Sequence, residues 1–204
     1  MELYDKLISR YPAEHFSVST TQTTIEEESA EARLRFVTIT HEGTEMLLVK
    51  KGFLEGLRTG KIQIAITLTV MDKICDGITA IDKNQHIIWY FELKSNCSAN
   101  RCRDARQQIL SSQEWFKAVL MTLPEILTET YQHVGVIATP PRTVEDIVKQ
   151  RQRRKALTDE PNVERSRFFS ALMAGNVRDE EHNIEFCHIN GNEPVTLASI
   201  TTKQ

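Results

Sequence analysis

A chain of 204 residues is long enough to bury a hydrophobic core without staples, and its length suits one domain. Apolar content of 40% and charged content of 26% argue against a disordered or fibrous chain. The formal net charge of -3 argues against a generally basic, histone-like nucleic-acid binder, yet leaves room for a local basic site.

The opening "MELYDKLISRYP" carries an acid at once and has no apolar signal core. The longest apolar-leaning run, "IQIAITLTVM", is too short for a bilayer and is broken by Gln and Thr. No membrane association and a cytoplasmic location are expected. The scattered Cys75, Cys97, Cys102 and Cys187 then read as reduced thiols. A zinc site from Cys97, Cys102, Cys187 and His188 is disfavoured. It contains no tight Cys-x-x-Cys pair, and adjacent residues of a strand point to opposite faces.

In chain order, 2–10 predicts a short helix and "HFSVSTTQTT" has strand composition. "IEEESAEARLRF" suits either an acid-led helix or part of a long hairpin. "FVTIT" and "MLLVKK", joined by "HEGTE", predict a hairpin with a glycine turn. "KGFLEGLRTG" reads as a short helix or loop, and three strand candidates follow: "IQIAITLTV", "CDGITAID" and "HIIWYFELK". In 100–122, Cys102, Ala105, Ile109, Ser112, Phe116 and Val119 recur at helical spacing and form one buried stripe. "YQHVGVIATPP" is a buried strand closed by prolines. Thr143 and Asp146 open a helix that ends in a basic run, and "ERSRFFSALMAG" is a second helix stopped by Gly175. "NIEFCHI" and "PVTLASI" close the chain as strands. The order of strands, helix, strand and helices predicts a single α/β or α+β layered domain spanning 1–204.

The chemistry concentrates in the hairpin. On "HIIWYFELK" one face carries Ile87, Trp89, Phe91 and Leu93, all apolar. The other carries His86, Ile88, Tyr90, Glu92 and Lys94, so Glu92 and Lys94 point the same way about 7 Å apart. Asp76 shares a face with Ile74, Ile78 and Ala80 on the preceding strand. Opposing Asp76 to Glu92 requires an odd loop such as Lys83-Asn84-Gln85, or a bulge near Gly77. The two carboxylates would then sit with Cβ atoms roughly 5 Å apart. Like charges that close need a cation, and Mg²⁺ accepts one or two carboxylates plus waters and phosphate oxygens. A neighbouring lysine can orient a water or stabilise developing charge. The bland alternative is a solvated Glu–Lys pair at a strand exit.

Asp76 followed by Glu92-Leu93-Lys94 resembles the D…(D/E)-x-K signature of the PD-(D/E)xK, or restriction-endonuclease-like, nuclease superfamily. The resemblance covers roughly 50–140, and Cys75 stands where the family usually has proline. It implies an α/β fold with a central mixed sheet flanked by helices, an αβββαβ core at about 50–140, an N-terminal helix and strands with a hairpin in 1–49, and a basic helical extension with terminal strands in 141–204. It implies a nuclease cleaving phosphodiester bonds with Mg²⁺, for which Mn²⁺ can substitute. Asp76 and Glu92, with the Leu93 carbonyl, would be the metal ligands, and Lys94 would position the attacking water. Gln108 matches the family's helix residue after the ExK, with Gln107 as the alternative, and Glu55 is a weak candidate for the upstream glutamate.

The second feature is the basic run containing Lys149, Arg151, Arg153 and Arg154, which suits phosphate contacts or, equally, an exposed helix end. The expected activity is cleavage of nucleic acid, DNA ahead of RNA, in a defence, restriction or repair setting. Cutting both strands of a duplex would favour a homodimer. The alternative is a non-catalytic nucleic-acid-binding or partner-binding module of the same fold.

Overall fold

The computed structural model describes residues 2–27, 29, 31–64, 73–81, 86–123, 131–141, 163–191, 194–197 and 200. Its elements run α1 (Glu2–Arg10), β1 (Phe16–Ser19), β2 (Gln22–Glu26), β3 (Phe36–Thr40), β4 (Met46–Lys50) and α2 (Lys51–Arg58). They continue with β5 (Gly77–Ile81), β6 (Ile87–Leu93), α3 (Ala99–Met121), β7 (Gln132–Thr139), α4 (Val163–Ala174), β8 (Val177–Asp179), β9 (Ile184–Asn190) and β10 (Val195–Thr196). The large sheet is mixed, in the order β1-β4-β5-β6-β7-β9-β8, and a small sheet has the order β10-β3-β2.

Three layers result. Helices α1 to α4 cover one face of the large sheet, meeting Leu47, Ile78, Ile88, Tyr90 and Ile137. The small sheet covers the other, packing Ile25, Val37 and Ile39 against Trp89, Phe91 and Val136. The central strands are therefore apolar on both faces, as strands buried on both sides must be. In β6 the split follows side-chain alternation: Trp89, Phe91 and Leu93 face the small sheet, Ile88 and Tyr90 the helices. All six stripe residues of α3 are fully buried. Its first turn is capped by Ser98, whose Oγ accepts from the Arg101 amide.

Two sequence expectations need correction. The strands β3 and β4 do not form a hairpin with each other: β3 pairs with β2 and β10, whereas β4 lies between β1 and β5. The cause is burial. Met46, Leu47 and Val49 put apolar side chains on both faces, which suits a central strand, while β3 buries only Val37 and Ile39 on one face. "IQIAITLTV" does not begin as a strand: Ile62 instead closes the turn after α2, donating its N–H to the Gly56 carbonyl at 2.9 Å. Residues 65–72 lie outside the described residues, as does 142–162, which contains the expected basic helix. "IEEESAEARLRF" resolves as the end of β2 and the connection to β3, with no helix among its described residues. The last strand is only Val195–Thr196. Among the described residues, no helix is long and apolar enough to cross a membrane.

Gly135 leaves room for the Phe186 ring of the paired strand β9 and for Ile109 of α3. A Cβ there would lie 2.6 Å from Phe186 Cδ1 and 3.0 Å from Ile109 Cγ2. Gly135→Ala is therefore expected to lower stability by about 1–3 kcal/mol through overpacking. Urea unfolding followed by circular dichroism checks this, and an unchanged midpoint would show that the contact yields freely.

Candidate functional site

The β5–β6 register runs from Ile81 opposite Ile87 to Gly77 opposite Phe91. One further step places Asp76 opposite Glu92, the opposition that an odd loop requires. The regular ladder stops there, and Asp76 brackets Glu92. Its N–H donates to the Phe91 carbonyl at 2.9 Å, and its Oδ2 accepts from the Leu93 N–H at 2.8 Å. Both carboxylates lie on the helix-facing side of the sheet, and Asp76 and Glu92 are 4% and 1% exposed.

Two lysines balance them. Lys94 donates to Glu92 Oε1 and, at 2.6 Å, to Gln108 Oε1. Lys51 Nζ donates to Asp76 Oδ1 at 2.8 Å and lies 3.8 Å from Glu27 Oε1. The Lys51 position follows from topology: Lys50 pairs with Gly77, so the first residue of α2 emerges beside Asp76. Glu27 comes from the β2–β3 connection, which also donates the Arg33 N–H to Ser95 Oγ at 3.4 Å. That connection therefore reaches the same end of the large sheet. Neither Lys51 nor Glu27 was legible as a site residue, because their approach depends on pairing between distant segments.

Helix α3 fastens the whole group. Gln108 Nε2 donates to the Ile74 carbonyl at 3.0 Å while its Oε1 receives Lys94. One turn on, Ser112 Oγ accepts from the Cys75 N–H at 2.8 Å. Gln108 is thus the glutamine that meets the hairpin, and Gln107 is exposed on another side of α3. Glu55 lies one helical turn from Lys51 on α2, on the same face. Lys149, Arg151, Arg153 and Arg154 fall outside the described residues.

Burial sets the electrostatics. It raises Glu92 first, Asp76 adds to the rise, and Lys94 opposes it, leaving the carboxyl at about 8. Burial likewise raises Asp76, against the pull of Lys51 and the Leu93 N–H. Burial lowers Lys51, but its bond to Asp76 and the fields of Asp76, Glu27 and Glu92 outweigh that and hold it above the ordinary lysine range. The close Lys94–Glu92 contact favours an ionised carboxylate while burial favours a proton. Desolvation and the second acid act together on Glu92 and outweigh the lysine, so its carboxyl holds a proton above the ordinary range. Cys75 is pushed up to about 12, chiefly by burial, and its thiol donates to the Gly77 carbonyl. It is a packed thiol rather than a nucleophile.

The oxygens present suit a hard divalent cation. Glu92 Oε2 is buried with no hydrogen-bond partner among the described residues, next to a second carboxylate. That is the donor chemistry Mg²⁺ takes. Asp76 and Glu92 are a pair only: among the described residues no three His, Cys, Asp or Glu side chains gather to hold a metal. The zinc alternative meets a further obstacle, because Cys97 and Cys102 pack on the helical face and Cys187 on the opposite one. His133 bonds to Tyr90, His182 to Asp179 and His188 to Thr139, all structural contacts.

The fold and site together define a mixed α/β protein with a buried carboxylate–lysine cluster at one end of its large sheet. No family model, curated protein or solved structure compared with the chain matches it.

Glu92 binds its proton more tightly in the folded state than in the unfolded chain. From the ordinary carboxyl value up to about 8, stability should therefore fall as pH rises. In EDTA, Glu92→Gln is expected to flatten that decline and gain on the order of a few kcal/mol over wild type by about pH 8.5. Calorimetric melts across the range test this, and parallel profiles for the two proteins would contradict the raised carboxyl.

Proposed function

We propose that the chain is a metal-dependent nuclease of the restriction-endonuclease-like type, hydrolysing phosphodiester bonds, with DNA as the preferred substrate. The observation that carries this reading is the joint placement of Asp76, Glu92, Lys94 and Gln108 at one end of β5 and β6. The element order from β5 to β7 supports it too: β5 and β6 are antiparallel neighbours, α3 follows, and β7 returns parallel to β6. Among the described residues of 50–140 the order is α2-β5-β6-α3-β7, and the third antiparallel strand, β4, precedes α2 instead of following it as the expected αβββαβ core requires.

A bound Mg²⁺, or Mn²⁺ in its place, would be held by Asp76 and Glu92 with the Leu93 carbonyl and would supply Lewis-acid activation at the phosphate. Lys94 presents a cation beside Glu92, suited to orienting a water and to balancing the charge that develops on a phosphate under attack. Gln108 fixes that ammonium by taking one of its three donors, and ties it to the main chain before Asp76. Asp76, gripped by the Leu93 amide, keeps its carboxylate aimed at the same spot. A second reading, a non-catalytic binding module, is favoured by Lys51, whose ammonium already compensates Asp76. Mg²⁺-dependent cleavage separates the two.

Supercoiled plasmid and single-stranded DNA, incubated with Mg²⁺, Mn²⁺ or EDTA, provide the test. Wild type is expected to cut only with metal, and Asp76→Asn and Lys94→Ala to lose on the order of 100-fold or more. Cutting that persists in both variants, or none by folded wild type with either metal, would overturn the nuclease reading.

A further inference from the structure

A cavity of about 600 Å³ lies between α3, α4 and β8, away from the carboxylates. Four guanidiniums line it, from Arg103, Arg106, Arg167 and Arg178, against the two carboxylates of Asp179 and Glu180. A net positive cavity is unexpected on a chain of formal charge -3. Its volume falls within the usual range for small-ligand pockets, roughly 300–1,000 Å³.

The arginines are not equivalent. Arg106 is a fixed wall: its Nε and Nη2 both reach Asp179 Oδ2, at 3.2 and 2.5 Å. Its guanidinium also sits 5.6 Å from the centroid of the Phe168 ring. Asp179 is itself held by His182, so this part of the wall is built before any ligand arrives. Arg178 pairs with Glu180 at the exposed side, at 3.1 Å. Two donors remain. Arg103 Nε is buried and has no hydrogen-bond partner among the described residues, while its Nη2 goes to Asp104. Arg167 is exposed and makes no side-chain bond among the described residues. The Arg103 side chain as a whole is about a third exposed and lines the cavity, and a phosphate oxygen is the acceptor a guanidinium suits best. Phe168, Ala171 and Val177 supply apolar wall beside these donors. That mixture fits a ligand with an anion at one end and a ring at the other.

We propose that this cavity is a nucleotide-phosphate site, with Arg103 and Arg167 as its ligating residues and Arg106 as a positioning residue. Its ligand class is a phosphorylated nucleoside, free or as one unit of a single strand. The placement is independent of the hairpin chemistry. Arg103 and Arg106 share α3 with Gln108, within about 8 Å along the helix axis, but leave it on a different side. The site therefore stands whether or not the carboxylate cluster cleaves anything.

The test is binding in EDTA, so that cleavage plays no part. Anisotropy of a labelled oligothymidylate of about eight nucleotides is followed in low salt, with AMP as competitor. Wild type is expected to bind, and Arg103→Ala with Arg167→Ala to weaken binding at least tenfold. The double variant should also lower the log–log salt slope by about 1.4, the value for two lost single-strand phosphate contacts. Displacement by AMP assigns the cavity to a free nucleotide, and resistance to it assigns the cavity to a strand. Arg167→Glu, at an exposed position, repeats the test should the double variant melt early. Binding within twofold of wild type in both variants, or no binding by wild type, would overturn the proposal. Cleavage is read separately, so failure of either assignment leaves the other standing.

Discussion

Two acids buried within reach of each other constrain everything around them. Asp76 and Glu92 are removed from water at the end of a sheet covered on both faces, and each meets a lysine. Desolvation of such groups costs several kcal/mol per ion, and it is tolerable only when counter-charges and hydrogen bonds are in place. The cluster therefore recruits several parts of the chain: the first residue of α2 for one cation, the end of β6 for the other, and α3 for the glutamine that holds the second in place. Losing Lys51 would leave Asp76 without its counter-charge, and losing Gln108 would untie Lys94 from the main chain before Asp76, so the site and the fold are mutually dependent.

That dependence explains why α3 is the busiest element. Its apolar stripe packs on the sheet, as periodicity demands. A polar seam, Gln108 and Ser112, meets the main chain just before Asp76. A third side carries Arg103 and Arg106 toward α4 and β8. One amphipathic helix thus has a core face, a chemical face and a basic face. Its mixed composition is what three different neighbours require, rather than a weak helical pattern.

The small sheet has a comparable double role. It closes the second face of the large sheet, which allows the central strands to be apolar on both sides. Its β2–β3 connection also reaches the carboxylate end, where Glu27 approaches Lys51 and Arg33 meets Ser95. Covering a core and covering a site are here the work of the same hairpin.

The sequence by itself determined the elements with strong local patterns. The stripe of α3, the alternation in β6 and the compact apolar run of β7 each encode their burial, because side-chain direction follows backbone period. Hairpin parity, a local property, also put Asp76, Glu92 and Lys94 forward as candidates, whereas Gln108 was singled out only by the resemblance to a nuclease superfamily. Tertiary structure alone decided which strands pair across long distances. It sent β3 to a separate sheet and β4 to an interior position of the large one, because one strand had a single apolar face and the other had two. Tertiary structure also brought Lys51 and Glu27 to Asp76 and grouped the arginines of α3, α4 and β8 around one cavity. Those side chains carry no local signal of partnership. Their meeting is a consequence of chain crossings that burial of the whole core selects, and no window of sequence contains it.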